Sequence, residues 1–145
     1  MSAPACGCPR VTDRGAQGIR VLVVDDHPMV RATLSELLSD EDDLTVVGEC
    51  DDGSQVVAAV ERLRPDVVLM DLSMPGMNGL AATEALRAVR PEPRVVVFTG
   101  EGPGMRSEVE AAGANALVPK SARADALLGC LRTVVVGCDC CPYCI

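Results

Sequence analysis

The chain has 145 residues and a formal net charge of −8, and 48% of its residues are apolar although it holds one Phe and one Tyr. This length suits a single domain that folds alone around an aliphatic core. The negative charge disfavours direct binding to nucleic acid, because phosphate contacts need a basic surface. We also expect a cytoplasmic protein with no membrane partner. Its apolar stretches fall short of the ~20 residues of a membrane span, and residues 1–18 lack the apolar stretch of a secretion signal.

Apolar strand patterns alternate with helical patterns along the chain. Strands are predicted near residues 19–24, 44–49, 66–71, 94–98 and 115–119. Helices are predicted near residues 28–40, 53–64, 79–90, 104–112 and 122–135. This alternation is typical of repeated βαβ units, which form a parallel sheet with helices on both faces. We therefore expect a flexible leader (1–18), one α/β domain (19–136) and a cysteine-rich tail (137–145).

Residues that favour turns and helix ends support these boundaries. Pro28 suits the first turn of a helix, where its missing N–H is harmless. Gly113 suits the end of the fourth helix. Ser121 is expected to cap the final helix through its hydroxyl group.

Carboxylates follow two of the predicted strands. Asp25 and Asp26 come directly after the apolar run 21–24, and Asp71 follows the run 67–70. Acids at the carboxyl ends of parallel strands converge on one crevice in open α/β sheets. Three carboxylates in one crevice repel one another unless protons or a cation neutralise them. Mg2+ prefers oxygen ligands, so the pattern predicts a site for this metal and for phosphate chemistry.

Four motifs occur in order over most of the chain. They are Val-Leu-Val-Val-Asp-Asp-His-Pro at 21–28, Asp-Leu-Ser-Met-Pro-Gly-Met-Asn-Gly at 71–79, Val-Val-Val-Phe-Thr at 95–99, and 112–120, where Ala-Gly-Ala leads to Val-Pro-Lys. With these motifs, the region from about 19 to 136 resembles the receiver domain of bacterial two-component response regulators. The resemblance implies a flavodoxin-like fold, a doubly wound five-stranded parallel sheet in the order 2-1-3-4-5. The Asp-Asp-His-Pro variant is similar to a subfamily that often carries a helix-turn-helix output domain, which we do not expect in this chain.

The resemblance also implies a role for each site residue. Asp71 would accept a phosphoryl group from the phosphohistidine of a sensor histidine kinase, from a phosphotransfer protein or from a small phosphodonor. Asp25, Asp26 and Asp71 would hold Mg2+, together with the backbone carbonyl of Ser73. We expect no enzyme activity beyond the chain's own phosphorylation and dephosphorylation.

Two further residues would complete the chemistry that the resemblance implies. Lys120 would neutralise the phosphoryl oxygens, and the Thr99 hydroxyl would bind one of them. Phosphoryl transfer depends mainly on positioning and charge stabilisation, so these residue types are suited to it.

Each of these residues also has a simpler interpretation. Asp71 could cap the turn that follows it, and Asp25 and Asp26 could be N-cap residues for the first helix. Lys120 could be a solvated loop lysine, and a β-branched Thr99 at a strand end needs no special reason. His27 is interpreted as a surface or turn residue, because it follows the acids rather than pointing with them.

Cysteines concentrate in the tail, at Cys138, Cys140, Cys141 and Cys144. Thiolates at this spacing could hold Zn2+ or form a redox pair, but the spacing matches no familiar zinc module and we favour incidental thiols. Cys50 and Cys130 are interpreted as small core residues.

The leading hypothesis is a stand-alone phosphorylation switch in a phosphorelay. The alternatives are a phosphate-independent interaction module of the same fold and a redox or metal sensor that works through the tail.

Overall fold

A computed structural model describes residues 18–72, 74, 76–90, 92–100 and 103–135. The leader and the tail of the sequence analysis, including its four tail cysteines, lie outside these ranges apart from Gly18.

Five parallel strands form one sheet in the order β2-β1-β3-β4-β5. They are β1 (Ile19–Val24), β2 (Leu44–Cys50), β3 (Val67–Met70), β4 (Arg94–Thr99) and β5 (Ala116–Pro119). The predicted sheet order is confirmed, and each strand end lies within one residue of its predicted position. Apolar runs of Val, Leu and Met locate these strands well because both faces of the sheet are covered.

In the described part of the chain, four α-helices connect the strands and a fifth follows β5. They are α1 (Pro28–Ser39), α2 (Val56–Leu63), α3 (Gly79–Val89), α4 (Arg106–Ala112) and α5 (Ala124–Val135). The 3-10 turns Gly53–Gln55 and Pro103–Met105 precede α2 and α4, so the segments predicted as uniform helices begin with a tighter turn.

Two of the three predicted helix-end residues have the expected role. Pro28 occupies the first turn of α1, and Gly113 follows α4 with a φ of 103°, in the left-handed region that favours glycine. The prediction that Ser121 caps the final helix is wrong. The chain turns after β5, where the Ala122 N–H donates to the Pro119 carbonyl, so α5 begins later than predicted.

Apolar side chains form two clusters, one on each face of the sheet. The first lies beneath α1 and α5 and includes Leu38 and Leu131. The second lies beneath the other three helices and includes Val60 and Leu86. Cys50 and Cys130 are buried, as predicted, and burial raises the pKa of the Cys50 thiol.

The pairing of β1 with β2 changes register once. Val21 pairs with Val46 and Leu22 pairs with Gly48, so Val47 is an extra residue with no partner in β1. The shift brings Cys50 opposite Val24 at the carboxyl end of the two strands.

The described helices include none with both the length and the apolar character that crossing a membrane requires.

Candidate functional site

The backbone of the site is held by hydrogen bonds that extend the sheet at its carboxyl edge. Asp25 follows β1, and its N–H donates to the Cys50 carbonyl at 3.0 Å. Asp71 follows β3, and its N–H donates to the Val24 carbonyl at 2.9 Å. These two acids therefore flank the point where the strand order reverses, which is where ligands bind in sheets of this kind.

Lys120 reaches the same crevice from the end of β5, the outermost strand on the far side of β3 and β4. It follows β5, and its N–H donates to the Thr99 carbonyl at 2.8 Å. Its ammonium nitrogen lies 3.2 Å from Asp25 Oδ2 and 3.5 Å from Asp71 Oδ1. Lys120 and Asp25, which are 95 positions apart in the chain, thus belong with Asp71 to one ion-pair cluster.

The carboxylates of Asp25, Asp26 and Asp71 gather in this crevice. One oxygen from each of them, together with one ring nitrogen of His27, lies within 4.8 Å of all the others. The side chains of Asp25 and Asp71 are only 2% exposed, whereas that of Asp26 is 23% exposed. Like charges this close, and this well shielded from water, repel one another unless a cation compensates them.

These residues fit a hard divalent cation. Asp26 Oδ1 is buried and accepts no hydrogen bond from the described residues, although a nitrogen of His27 lies 3.0 Å away. A buried carboxylate oxygen of this kind is costly unless a donor or a metal satisfies it. Carboxylate oxygens are the ligands that Mg2+ prefers. The donor set and the unsatisfied oxygen therefore agree with the predicted magnesium site.

His27 differs in part from its sequence interpretation. It lies at the exposed start of α1, as a turn residue would, but its ring does not point away from the acids. The ring Nδ1 lies 3.2 Å from Asp25 Oδ1 and 3.0 Å from Asp26 Oδ1. The prediction of a surface or turn residue is confirmed. The direction assumed for the ring was wrong, because a sequence position one residue beyond two acids does not fix the direction of a side chain.

Thr99 and Ser73 complete the predicted set. Thr99 is the last residue of β4, is fully buried and lies beside Lys120 in the ladder of hydrogen bonds. Ser73, the predicted backbone ligand, lies outside the described residues.

Arg31 supports the site from α1 and was not found by sequence reasoning. Its guanidinium donates to the Asp25 backbone carbonyl at 2.7 Å. Glu49 of β2 accepts from Arg31 at 3.1 Å and from the Ser35 hydroxyl at 3.0 Å. Arg31 therefore connects the first acid of the site to the neighbouring strand. The only sequence signal is its position one helical turn after His27, which is weak.

Asp52 anchors the loop that follows Asp71 and was also missed. Its Oδ1 accepts from the N–H of Ser54 at 2.9 Å and from the N–H of Met77 at 3.1 Å. These hydrogen bonds lower the pKa of Asp52. The Gly53 N–H in turn donates to the Met77 carbonyl at 3.1 Å. The two loops at this edge of the sheet therefore hold each other.

The start of α3 is packed tightly against Asp71. Asn78 caps the helix, and its Oδ1 accepts from the Ala81 N–H at 2.9 Å. A Cβ at Gly79 would collide with the Asp71 backbone carbonyl. Glycine is required at this position because the helix and the end of β3 approach so closely.

Comparison with known proteins agrees with this geometry. A family model described as the response regulator receiver domain matches residues 21–132. The response regulator GacA of Pseudomonas viridiflava is 41% identical over 120 residues, which are 82% of this chain and 56% of GacA. The chain thus spans about half the length of this curated relative.

Solved structures show the same fold. The response regulator domain of Thermotoga maritima CheB has a TM-score of 0.77 and 31% identity, over 85% of this chain and 99% of that chain. The isolated receiver domain of RcsB from Salmonella enterica serovar Typhimurium, determined in the presence of the phosphomimetic BeF3−, has a TM-score of 0.74 and 25% identity, over 81% of this chain and 88% of that chain. The family match covers most of the chain and both structures share its fold, so this chain belongs to the response regulator receiver domain family of two-component signalling.

Proposed function

We propose that Asp71 accepts a phosphoryl group in a Mg2+-dependent reaction and that its phosphorylation changes which protein the chain binds. The donor in the cell is a sensor histidine kinase or a phosphotransfer protein. The observation that carries this proposal is the cluster of Asp25, Asp26 and Asp71 with Lys120 at the carboxyl edge of the sheet.

Asp71 is suited to be the nucleophile. Its carboxylate lies at the mouth of β3, its backbone is held by β1, and the tight start of α3 fixes the turn that follows. In the transfer, an Asp71 oxygen forms a bond to phosphorus while the bond from phosphorus to the donor breaks. The donor leaves with that bonding electron pair, as a histidine side chain or, for acetyl phosphate, as acetate.

Lys120 and Thr99 are suited to the charge that this transfer brings in. The ammonium group of Lys120 already contacts Asp71 at 3.5 Å, so it lies where the phosphoryl oxygens would arrive. Charge stabilisation by such a preorganised cation is a main source of rate in phosphoryl transfer. Thr99 ends the strand that holds the Lys120 backbone, and we assign its hydroxyl to one phosphoryl oxygen.

Asp25 and Asp26, with the backbone carbonyl of Ser73 and an oxygen of Asp71, would hold Mg2+. The ion would neutralise negative charge on the carboxylates and on the phosphoryl oxygens. The unsatisfied buried oxygen of Asp26 supports this assignment. The RcsB receiver, whose structure was determined with a phosphomimetic, supports the phosphoryl chemistry by analogy.

The test is labelling with acetyl phosphate in Mg2+, read by intact-protein mass spectrometry. We expect one added phosphoryl group, no addition in excess EDTA, and none in Asp71→Asn. Asp51→Asn is the matched control, since Asp51 is an exposed acid that follows β2 at the same edge of the sheet. It should be labelled as the wild type is. If the wild type takes up no phosphoryl group, the switch is excluded and a phosphate-independent interaction module becomes the better proposal.

A further inference from the structure

His27 carries chemistry that the phosphoryl-transfer site does not use. It is the single histidine of the chain, and its ring nitrogen faces the carboxylates of Asp25 and Asp26. We propose that His27 Nδ1 is an additional ligand of the metal in the acid pocket and shifts its preference from Mg2+ toward Zn2+, which accepts imidazole. This inference rests on the metal site in the proposed function.

The spacing of the donor atoms is that of neighbouring ligands around one ion. A cation with bonds of about 2.1 Å at right angles places adjacent ligand atoms about 3.0 Å apart. The Nδ1 of His27 lies 3.0 Å from Asp26 Oδ1 and 3.2 Å from Asp25 Oδ1. The Asp26 oxygen in this pair is the buried one that accepts no hydrogen bond from the described residues. A shared cation would satisfy that oxygen and bind the nitrogen at the same time.

Within the described part of the chain, the ring makes one side-chain hydrogen bond, between Nδ1 and Asp25 Oδ1 at 3.2 Å, and a cation bound by both atoms would replace it. His27 occupies the N-cap position of α1, but its side chain makes no capping hydrogen bond. Its backbone carbonyl accepts from the Arg31 N–H, which does not depend on the ring. The side chain is 61% exposed, so the face of the ring away from the acids meets solvent rather than the core. Replacing the ring should therefore leave the fold intact.

The identity of the donor atom decides the preference among metals. A pocket with oxygen ligands alone is suited to Mg2+, whereas imidazole nitrogen favours Zn2+ and other later first-row ions. One nitrogen among three carboxylates raises the affinity of the site for Zn2+ relative to Mg2+, while its oxygens still accept Mg2+. The selectivity of the pocket, rather than its existence, is the property that we assign to His27.

The ring itself provides the first readout. Because the chain has one histidine, its imidazole 15N resonances need no assignment among others. We expect Zn2+ to shift the Nδ1 resonance of the wild type and to leave that of Asp26→Asn in place. Asp26→Asn keeps all eight cysteines, so an equal shift in this variant would show that the response does not depend on the shared Asp26 oxygen and would contradict the proposal. An Nδ1 resonance that does not move with Zn2+ would overturn the proposal and leave an ordinary ion pair between His27 and the acids.

The second readout is the ratio of Zn2+ to Mg2+ affinity, measured by calorimetry with the Asp26→Asn signal subtracted. In His27→Ala and His27→Gln this ratio should fall at least about tenfold. Asp51→Asn should keep the wild-type ratio. An unchanged ratio in both His27 variants would contradict the proposal. Neither readout uses a phosphodonor, so a failure of Asp71 labelling would remove the proposed function without deciding the role of His27.

Discussion

Each of the two edges of the sheet carries a cluster of acidic side chains around one basic side chain, but the two clusters differ in hydrogen-bond distance and in burial. At the amino edge, Arg132 of α5 donates to Asp43 at 2.7 and 2.8 Å and to Glu41 at 2.7 Å, and all three side chains are about one-third exposed. At the carboxyl edge, Lys120 lies 3.2 Å or more from the acids that it contacts, and Asp25 and Asp71 are almost fully buried.

The difference separates a cluster whose charges are paired from a cluster with an excess of negative charge. At the amino edge, two guanidinium nitrogens of Arg132 donate short hydrogen bonds to the two oxygens of Asp43, and this bidentate contact is the strong geometry for an ion pair. The pKa of Asp43 is accordingly lowered by the hydrogen bond from Arg132. The carboxyl edge has more carboxylates than Lys120 can compensate, and a buried excess of charge favours binding a cation.

Removing the lysine should give the largest effect. In EDTA, Lys120→Met should lower the free energy of unfolding by about 3 kcal/mol, because it takes away the cation beside two buried carboxylates. Saturating Mg2+ should restore about 2.7 kcal/mol at a hundredfold excess over its Kd. Urea unfolding followed by far-ultraviolet circular dichroism measures both values, since the chain has no Trp.

Arg132→Met is the matched variant at the amino edge. Its partners stay partly exposed, so we expect the free energy of unfolding to fall by about 1 kcal/mol. Mg2+ should raise the free energy of unfolding of this variant by no more than it raises that of the wild type. Equal losses in the two variants, with the same response to Mg2+, would show that the two edges do not differ as described.

The same change of Asp to Asn should have opposite effects at the two edges. Without Mg2+, Asp26→Asn should raise the free energy of unfolding by about 1 kcal/mol, because it relieves repulsion among the carboxylates. Asp43→Asn should lower it by about 1 kcal/mol, because it weakens the ion pair with Arg132. Thermal and urea unfolding of the two variants in EDTA measure the signs. A loss of stability in Asp26→Asn would mean that the acid pocket is not strained by its charge.

The smallest effect should be the pH dependence of the amino edge. Because the folded-state pKa of Asp43 is lowered, its contribution is complete above the unfolded pKa of about 3.9 and is lost as the pH falls through the folded value. The urea midpoints of the wild type and Asp43→Asn should therefore differ at pH 6 and converge below about pH 4. A difference that does not shrink as the pH falls below about 4 would show that the carboxylate charge is not its cause.

Much of the fold was predictable because its signals are local. Strands buried on both faces are continuous apolar runs, and Pro28 and Gly113 act through their own backbone preferences. The prediction for Ser121 was wrong because the residues after β5 can form either a turn or the start of a helix, and the direction in which the chain leaves β5 decides between the two. Hydroxyl residues suit either structure, so the sequence alone does not decide between them.

The site was predictable where it depends on topology and not where it depends on side-chain direction. The position of Asp25, Asp71 and Lys120 follows from strand ends that meet at one edge. The contacts of His27 and Arg31 depend instead on rotamers and on packing between elements. No spacing rule in the sequence specifies such contacts.

The unpaired Val47 determines how β2 tolerates a change of length. Leu44 and Val46, which precede Val47, pack in the first apolar cluster, whereas Cys50, which follows it, packs in the second cluster on the opposite face of the sheet. Deleting Val47 would leave every remaining residue with its present partner in β1, whereas deleting Thr45 would turn Leu44 to the opposite face if the pairs from Val46 onward are kept. Homologous chains that are one residue shorter in this strand are therefore best aligned with their gap at this position.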